Sequence, residues 1–294
     1  MEKFVQRAKT LIEALPYIKK FNSKTIVFKY GGSIGSKDFS NFARDIVLMK
    51  LVGINPVIVH GGGAEISKVL ESLKIESNFI DGLRVTCPKT MEVVEMVLGG
   101  KVNKEIVSKI IMNGGKSVGI SGKDGGFLRV KKVKASKKSQ DLGRVGEITK
   151  VDIKLITELQ DNGYIPVVAP IGSNNKGVSY NINADHAASK IASSLKAEKL
   201  IILTDVPGIQ DEKRKLISSI TKKTANSLIR KGVIAKGMVP KVKCLVQALM
   251  DGVNKAHIID GRIPHAVILE TFTDSGIGTE ILLWGLSEKE NIKR

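Results

Sequence analysis

The feature that most constrains this chain is a repeated design: an apolar run, then glycines, then a helical pattern. Its first copy is Thr25 to Gly35, TIVFKYGGSIG, in which Thr25, Ile26, Val27 and Phe28 lead into Lys29, Gly31 and Gly32. A continuous apolar run without alternation predicts a parallel strand covered on both faces. Glycines let backbone N–H groups close on an anion, and the lysine sets a full positive charge beside them. The second copy is NPVIVH at 55–60, followed by Gly61, Gly62, Gly63 and the helical pattern AEISKVLESL. Two such tips side by side can hold phosphate from both sides.

Further strands are expected at 117–121, 164–171, 200–206, 255–260, 266–270 and 280–284, and helices at 40–51, 90–111, 152–162, 218–231 and 239–251. The stretch 90–111 is expected to break at Gly99-Gly100, and hairpin-like alternation runs from the GKDGG at 122–126 to about Glu147. Strands alternating with helices along the whole length define an α/β fold around a mainly parallel sheet. No Pro/Ser-rich linker divides the chain, so two lobes would share one sheet or join near residues 186 to 199. Ahead of the first strand, Val5, Ala8, Ile12 and Leu15 fall three and four apart on one face of an amphipathic helix, which Pro16 should kink or end. That face either lies on its own domain or docks between subunits.

Composition removes several classes of function. No apolar run approaches the roughly 18 residues of a membrane-spanning helix, and the charged N-terminus lacks the apolar core of a secretory signal. Cys87 and Cys244 give no metal spacing and read as reduced residues of a reducing compartment. Lys and Arg total 47 against 29 acids, a net charge of +18 that raises nucleic acid or anionic metabolites as partners. The lysines are scattered, however, with the densest block at RVKKVKASKK, 129–138, and no stacking aromatics accompany them. Nucleic-acid and membrane binding are therefore not expected.

The common catalytic motifs are absent. Gly115-Lys116-Ser117 has Ile110 where a P-loop needs its leading glycine. No dinucleotide fingerprint, protein-kinase catalytic loop, zinc-binding histidine pair or hydrolase elbow occurs, and the four histidines form no ligand spacing. What remains is Lys29, the two glycine tips, the segment YNINADHAA at 180–188, and Lys236 to Lys241. In an extended segment Asn181, Asn183 and Asp185 would face one side; alternatively Asp185 caps the helix that follows. The carboxylate can hold lysines in place, and a second glycine-flanked lysine stretch could meet Lys29 across a cleft.

These residues carry a resemblance. KYGG at 29–32, VHGGG at 59–63, DGLRVT at 81–86, TMEVVEMVLGGKVNKEIV at 90–107, ISGKDGG at 120–126, YNINADHAA, TDVPGI at 204–209 and GMVPKV at 237–242 stand in order along nearly the whole chain. Together they resemble the N-acetylglutamate kinases of the amino acid kinase family. The resemblance implies a three-layer sandwich with an N-terminal extension helix (1–20), a lobe for the amino acid substrate (21–192) and a lobe for ATP (193–294). It implies transfer of the ATP γ-phosphate to the side-chain carboxylate of N-acetyl-L-glutamate in arginine biosynthesis, with Mg²⁺ carried by the nucleotide and no protein metal site. Lys29 and Lys241 would stabilise the transferring phosphoryl group and Asp185 would orient both. Gly32 and Gly62 would offer N–H groups; Gly63, Arg84, Asn181 and Asn183 would hold the substrate. Gly31, Thr204, Asp205, Val206, Gly208, Lys236, Gly237 and Met238 would bind ATP. The carboxylate acceptor, with an ordinary pKa of ~4.3, is already ionised and needs no general base.

The chain departs from the family pattern at Ser33, where Asn or Ala is common, at Ala64, where Pro often follows, and at Lys236, where glycine is usual. The N-terminal helix resembles that of arginine-inhibited, hexameric members, trimers of dimers. HAVILETFTDSGIGT (265–279) resembles their inhibitor signature, which implies that Tyr17, His265, Glu270, Gly276 and Gly278 lie near bound arginine. Some members also bind a PII-type signal protein. The resemblance points to a cytoplasmic enzyme, or a stromal one if organelle-encoded. Against it stand a ligand-sensing regulator on the same fold and a kinase for another small carboxylate.

Overall fold

The computed structural model describes residues 1–31, 36–133 and 141–284. Helices α1 (Glu2–Glu13) and α2 (Leu15–Phe21) precede β1 (Thr25–Tyr30); then come α3 (Ser36–Leu51), β2 (Asn55–His60) and α4 (Gly63–Ser72). A ribbon of β3 (Phe79–Ile80) and β4 (Leu83–Arg84) leads to α5 (Pro88–Glu95), a π-helical stretch over Met96–Val102, and α6 (Asn103–Met112). The middle of the chain forms β5 (Ser117–Ser121), β6 (Leu128–Lys132), β7 (Gly146–Val151), α7 (Lys154–Asp161), β8 (Ile165–Ala169), β9 (Ile171–Ser173), β10 (Ser179–Asn181) and α8 (Ala184–Ser194). The last third forms β11 (Lys199–Thr204), β12 (Ser219–Thr221), α9 (Lys222–Arg230), α10 (Met238–Met250), β13 (Lys255–Asp260), α11 (Ala266–Thr271) and β14 (Thr279–Leu282).

Eight strands form one sheet in the order β12-β14-β13-β11-β1-β2-β8-β5. Every pairing is parallel except that of β13 with β14. β1 joins the earlier strands to the later ones, so the sheet is continuous through the middle of the molecule. Alternation along β1 sends Val27 to one face and Ile26 and Phe28 to the other. On the first face Val27, Val59, Val168 and Ile202 pack with Ala188 and Ile191 of α8 and Val242 and Leu245 of α10. On the second, Phe28, Ile58 and Ile201 pack with Phe42 and Ile46 of α3, Ile110 of α6 and Val267 of α11. Both faces are covered, which is why β1, β2 and β11 read as unbroken apolar runs; each fully buried Val, Ile or Phe contributes about 1.5–3 kcal/mol. The result is the expected α/β three-layer sandwich. A second sheet, β10-β9-β6-β7, caps the first face.

Several elements differ from the expectation. Gly99-Gly100 do not break the helix: the backbone widens into a π-helix and continues, with open space beside both glycines. Residues 266–270, read as a strand, are helix α11; a run of five residues is too short to show a period that separates the two, although Val267 and Glu270 are buried and Leu269 is exposed. Helix 218–231 begins only at Lys222, after β12, and the strand at 164–171 divides at Pro170. The strand expected over 200–206 ends at Thr204, and that over 280–284 at Leu282. Pro16 sits in the first turn of α2, where its missing N–H costs nothing, so the N-terminal segment is two helices. The apolar face of α1 does not pack on the chain: Val5, Ile12 and Leu15 are exposed. Of the block 129–138, β6 pairs with β7, while 134–140 lie outside the described residues, as do Gly32 and Ser33.

Candidate active site

Lys29 lies one residue before the end of β1, in register with Val59 on one side and Ile202 on the other. Two residues on from Val27, it shares that residue's face, the one covered by α8 and α10. Both helices bring a charge to the same point. Lys29 Nζ lies 2.9 Å from Asp185 Oδ1, and Lys241 Nζ donates to Asp185 Oδ2 at 2.7 Å. Lys29 and Asp185 are 7% and 5% exposed, so the pair is desolvated, while Lys241 is more open. Burial alone would raise the Asp185 carboxyl, but the two ammonium groups outweigh it and hold it below its usual range. Burial pushes Lys29 down; Asp185 opposes that shift and the charge of Lys241 adds to it.

Asp185 stands within a helix rather than on an extended segment. The extended run stops at Asn183, whose Oδ1 accepts from Asp185 N at 2.9 Å and His186 N at 3.1 Å. Asn183 is therefore the cap of α8, worth about 1 kcal/mol, and places Asp185 in the first turn, where the helix dipole favours an anion. The cap is the asparagine, not the aspartate.

The tips of β1 and β2 are tied together by Gly61 N donating to Tyr30 O at 2.9 Å. Gly61, Gly62, Gly63, Arg84, Asn181 and Asn183 line one cavity of about 180 Å³. Gly62 is there for space: a Cβ would fall 2.5 Å from Leu98 Cδ2, on the π-helical stretch. Arg84 is buried over the Phe79 ring, and donates to Gly63 O and Ser67 Oγ, both at 2.9 Å, and to Ser77 Oγ. Asn181 donates to Thr86 Oγ1 at 3.2 Å.

Val206, Gly208, Lys236 and Met238 line a separate cavity of about 310 Å³ together with Arg214, and Lys29, Asp185 and Lys241 line neither cavity. Thr204, Asp205 and Gly237 adjoin these residues in the chain and Gly31 follows β1; none of the four lines it. Gly208 has φ +139 and a Cβ there would meet Thr279 Oγ1 at 2.7 Å. Lys236 adopts φ 46, the left-handed region that favours glycine, which accounts for glycine as the expected residue there.

A further cavity of about 290 Å³ brings together Tyr17, Glu270, Gly276 and Gly278. Glu270 Oε2 accepts from Ile277 N at 2.7 Å and Gly278 N at 3.1 Å, and Oε1 lies 2.6 Å from His257 Nδ1. Burial works to raise Glu270, but His257 and these N–H groups hold it below its usual range. His265 does not line this cavity: at the start of α11 its Nδ1 meets Asp45 Oδ1 of α3 at 2.6 Å. Lys199, at the start of β11, does line it, with Nζ 4.9 Å above the Phe21 ring.

Sequence reasoning missed the groups that hold Arg84, since Ser67, Ser77 and Phe79 belong to no motif. It also missed Lys199; a lysine opening an otherwise apolar strand was the available signal.

A lysine–carboxylate–lysine clasp near the glycine-ended tips of a sheet of this order is the arrangement of a class of phosphotransferase. The amino acid kinase family model matches residues 24–260, and the chain belongs to that family. The acetylglutamate kinase of Heliobacterium modesticaldum is 54% identical over 294 residues, covering 96% of this chain and 100% of the relative. That of Geotalea uraniireducens is 53% identical, again over 96% of this chain and 100% of the relative. Within the family the chain falls among the acetylglutamate kinases. Among solved structures, N-acetylglutamate synthase from Neisseria gonorrhoeae, complexed with coenzyme A and N-acetyl-glutamate, matches at a TM-score of 0.86 and 26% identity. The match covers 95% of this chain, which spans only 64% of the synthase chain. The same synthase complexed with coenzyme A and L-arginine matches at a TM-score of 0.83 and 25% identity, over 95% of this chain and 66% of the other.

Proposed function

We propose that this enzyme transfers the γ-phosphoryl group of ATP to the side-chain carboxylate of N-acetyl-L-glutamate. The observation that carries the reading is the convergence of Lys29 and Lys241 on Asp185. A carboxylate oxygen attacks the γ-phosphorus, the bond to the bridging oxygen breaks, and ADP leaves with that electron pair. No proton moves, so no base is required. The barrier is repulsion between two anions, answered by fixed positive charge and positioning. Lys29 and Lys241 lie against the phosphoryl group in flight, Gly62 supplies an N–H, and Asp185 keeps the ammonium groups together. Arg84 takes the α-carboxylate of the substrate, with Asn181, Asn183 and Gly63 around it. ATP occupies the cavity at Val206 to Met238, so residues 21–192 serve the acceptor and 193–294 the nucleotide. Among the described residues no three His, Cys, Asp or Glu side chains cluster as a metal site. A Mg²⁺ ion arriving with the nucleotide would be held by phosphate oxygens and water.

The cavity at Tyr17 and Glu270 is the arginine site of a feedback-inhibited enzyme, and the exposed apolar face of α1 joins dimers into a hexamer. The acidic Glu270 and Asp274 suit a guanidinium, and the likeness to an arginine-bound synthase supports the assignment. Turnover with N-acetylglutamate and MgATP, with and without arginine, tests both parts. Phosphorylation of aspartate, glutamate or carbamate in preference to the acetylated acid overturns the first. A chain lacking residues 1–20 is expected to be a dimer with weakened inhibition; a fully inhibited hexamer overturns the second.

A further inference from the structure

The glycine loop after β2 is held from beneath by a buried pair that the reaction itself does not use. His60, the last residue of β2, is 0% exposed, and Asn103, the first residue of α6, is 1% exposed. Asn103 Nδ2 donates to Val167 O of β8 at 2.9 Å and lies 3.2 Å from His60 Nε2. The carbonyl of Val167 only accepts, so the near atom of Asn103 is its NH₂ group and its other hydrogen faces the imidazole. The Asn103 oxygen accepts in turn from Lys104 Nζ at 3.2 Å. His60 Nε2 is thereby the acceptor and the ring proton sits on Nδ1. Nδ1 is 2.8 Å from Gly61 O, and donates to it.

The consequence follows from peptide geometry. In a planar trans peptide the N–H of the next residue points opposite to the carbonyl. Drawing Gly61 O towards His60 therefore turns Gly62 N–H the other way, off the His60–Asn103 pair, and Gly62 lines the same cavity as Gly61, Gly63 and Arg84. Gly62 caps the start of α4, where N–H groups have no acceptor within the helix. We propose that His60, with its tautomer set by Asn103, is a positioning residue that aims the Gly62 N–H at the phosphoryl group in transit.

The pair suits that task. Burial lowers the imidazole pKa to about 4, so the ring stays neutral and keeps one donor and one acceptor throughout the working range of a biosynthetic enzyme. Asn103 is clamped: a Cβ on Gly119 would fall 1.8 Å from its Oδ1. The chain from Val167 on β8 to the Gly61–Gly62 peptide is hydrogen-bonded at every link, with Ile120 O a further, longer acceptor for Asn103 Nδ2 at 3.5 Å. It fixes a transition-state donor without a charge.

The inference rests on the phosphoryl site proposed above, and the experiment keeps the two apart. His60→Leu preserves bulk and removes both hydrogen bonds. His60→Asn returns an N–H close to the place of Nδ1. The expected result is a fall of about 10²-fold in kcat for His60→Leu, the size of a lost oxyanion donor, with both KM values within about threefold. His60→Asn should recover at least about tenfold of it, a rescue that bulk alone would not give. MgADP with aluminium fluoride and N-acetylglutamate, which mimics the phosphoryl group in transfer, should bind more weakly to His60→Leu by the same factor. MgADP with N-acetylglutamate alone should bind as before. If His60→Leu does not fold, Asn103→Leu, which frees the tautomer and leaves the imidazole, should lower kcat about tenfold with the same KM pattern. A folded variant whose kcat is unchanged overturns the proposal, as does a loss that His60→Asn does not recover and that raises both KM values together. Lys29→Ala is run alongside. If it retains kcat, the phosphoryl site is wrong; if it loses kcat while His60→Leu does not, only the role of His60 is wrong.

Discussion

Lys29 and Lys199 are both buried lysines on adjacent parallel strands, yet they stand at opposite ends of the sheet and on opposite faces. Ile26 of β1 is level with Lys199 of β11, so Lys29 lies three residues, roughly 10 Å, further along. Lys29 belongs to the C-terminal edge, where open α/β sheets bind their ligands. It has a carboxylate 2.9 Å away. Lys199 has the face of Phe21 and the more distant charges of Glu270 and Glu280, and burial lowers its pKa to about 8. The contrast teaches what a direct counter-ion does. Asp185 opposes the desolvation of Lys29 directly, although the net shift is still downward, whereas Lys199 has only its more distant acids to oppose burial. Glu270 repeats the point from the acid side: its partners are backbone N–H groups and His257, so it organises a loop, while Asp185 is held by side chains that can turn to a phosphate.

The largest effect expected is at the catalytic edge. Lys29→Ala or Lys241→Ala should lower kcat more than about 10²-fold with KM little changed, as for contacts made in the transition state. Steady-state kinetics that show a raised KM with kcat intact would move these lysines to ground-state binding. Asp185→Asn sharpens the comparison by making Lys29 more like Lys199. Its charge raises the Lys29 pKa, so removing it should shift the basic limb of the kcat–pH profile to lower pH, beyond an overall loss of about tenfold or more. A limb that stays in place would separate Lys29 from the titration.

At the other edge the effect is on stability. Lys199 binds its proton less well in the folded chain than at its ordinary 10.5, so between about pH 8 and 10.5 the unfolded chain holds the extra proton. Lys199 should therefore make stability rise with pH across that window, by up to about 1.4 kcal/mol per pH unit, and Lys199→Met should lose that share of the slope while any contribution from the other buried lysines remains. Urea unfolding at a series of pH values measures it. The smallest change expected is at Lys236. Relieving its left-handed backbone with Lys236→Gly, against the entropy glycine adds to the unfolded chain, should move stability by no more than about 1 kcal/mol. A larger fall would mean that the Lys236 side chain holds the loop by a contact of its own.

Much of this was legible in the chain. Strands buried on both faces announce themselves, because the interiors of β1, β2 and β11 (Ile26 to Phe28, Pro56 to Val59 and Leu200 to Leu203) are unbroken apolar runs with polar residues only towards their ends. The clasp was readable because Lys29, Asp185 and Lys241 each stand in a small-residue setting on a separate segment. Local backbone was harder. By sequence Asp185 is the alternative cap and Asn183 part of an extended segment, whereas the helix starts so that Asn183 is the cap. The segment 266–270 concealed a helix because it is barely more than one turn long, too short for its buried and exposed positions to display a period. His265 lies next to the inhibitor-like signature in sequence but turns to Asp45, a direction set by the φ of 59 at the start of α11. Nothing in the sequence marked the bond from His60 to Asn103, which joins residues 43 apart.

The π-helical turn ends at Val102, directly before Asn103. Such a turn is an extra residue absorbed into a helix without a loop. Were this stretch to rewind as ordinary α-helix with its residue count unchanged, the extra residue would rotate everything beyond it by about 100°. Asn103 would then swing out from under β2. The wiring below the glycine loop thus depends on how the neighbouring helix is wound, and a change that rewinds it should leave the fold intact and the enzyme slow.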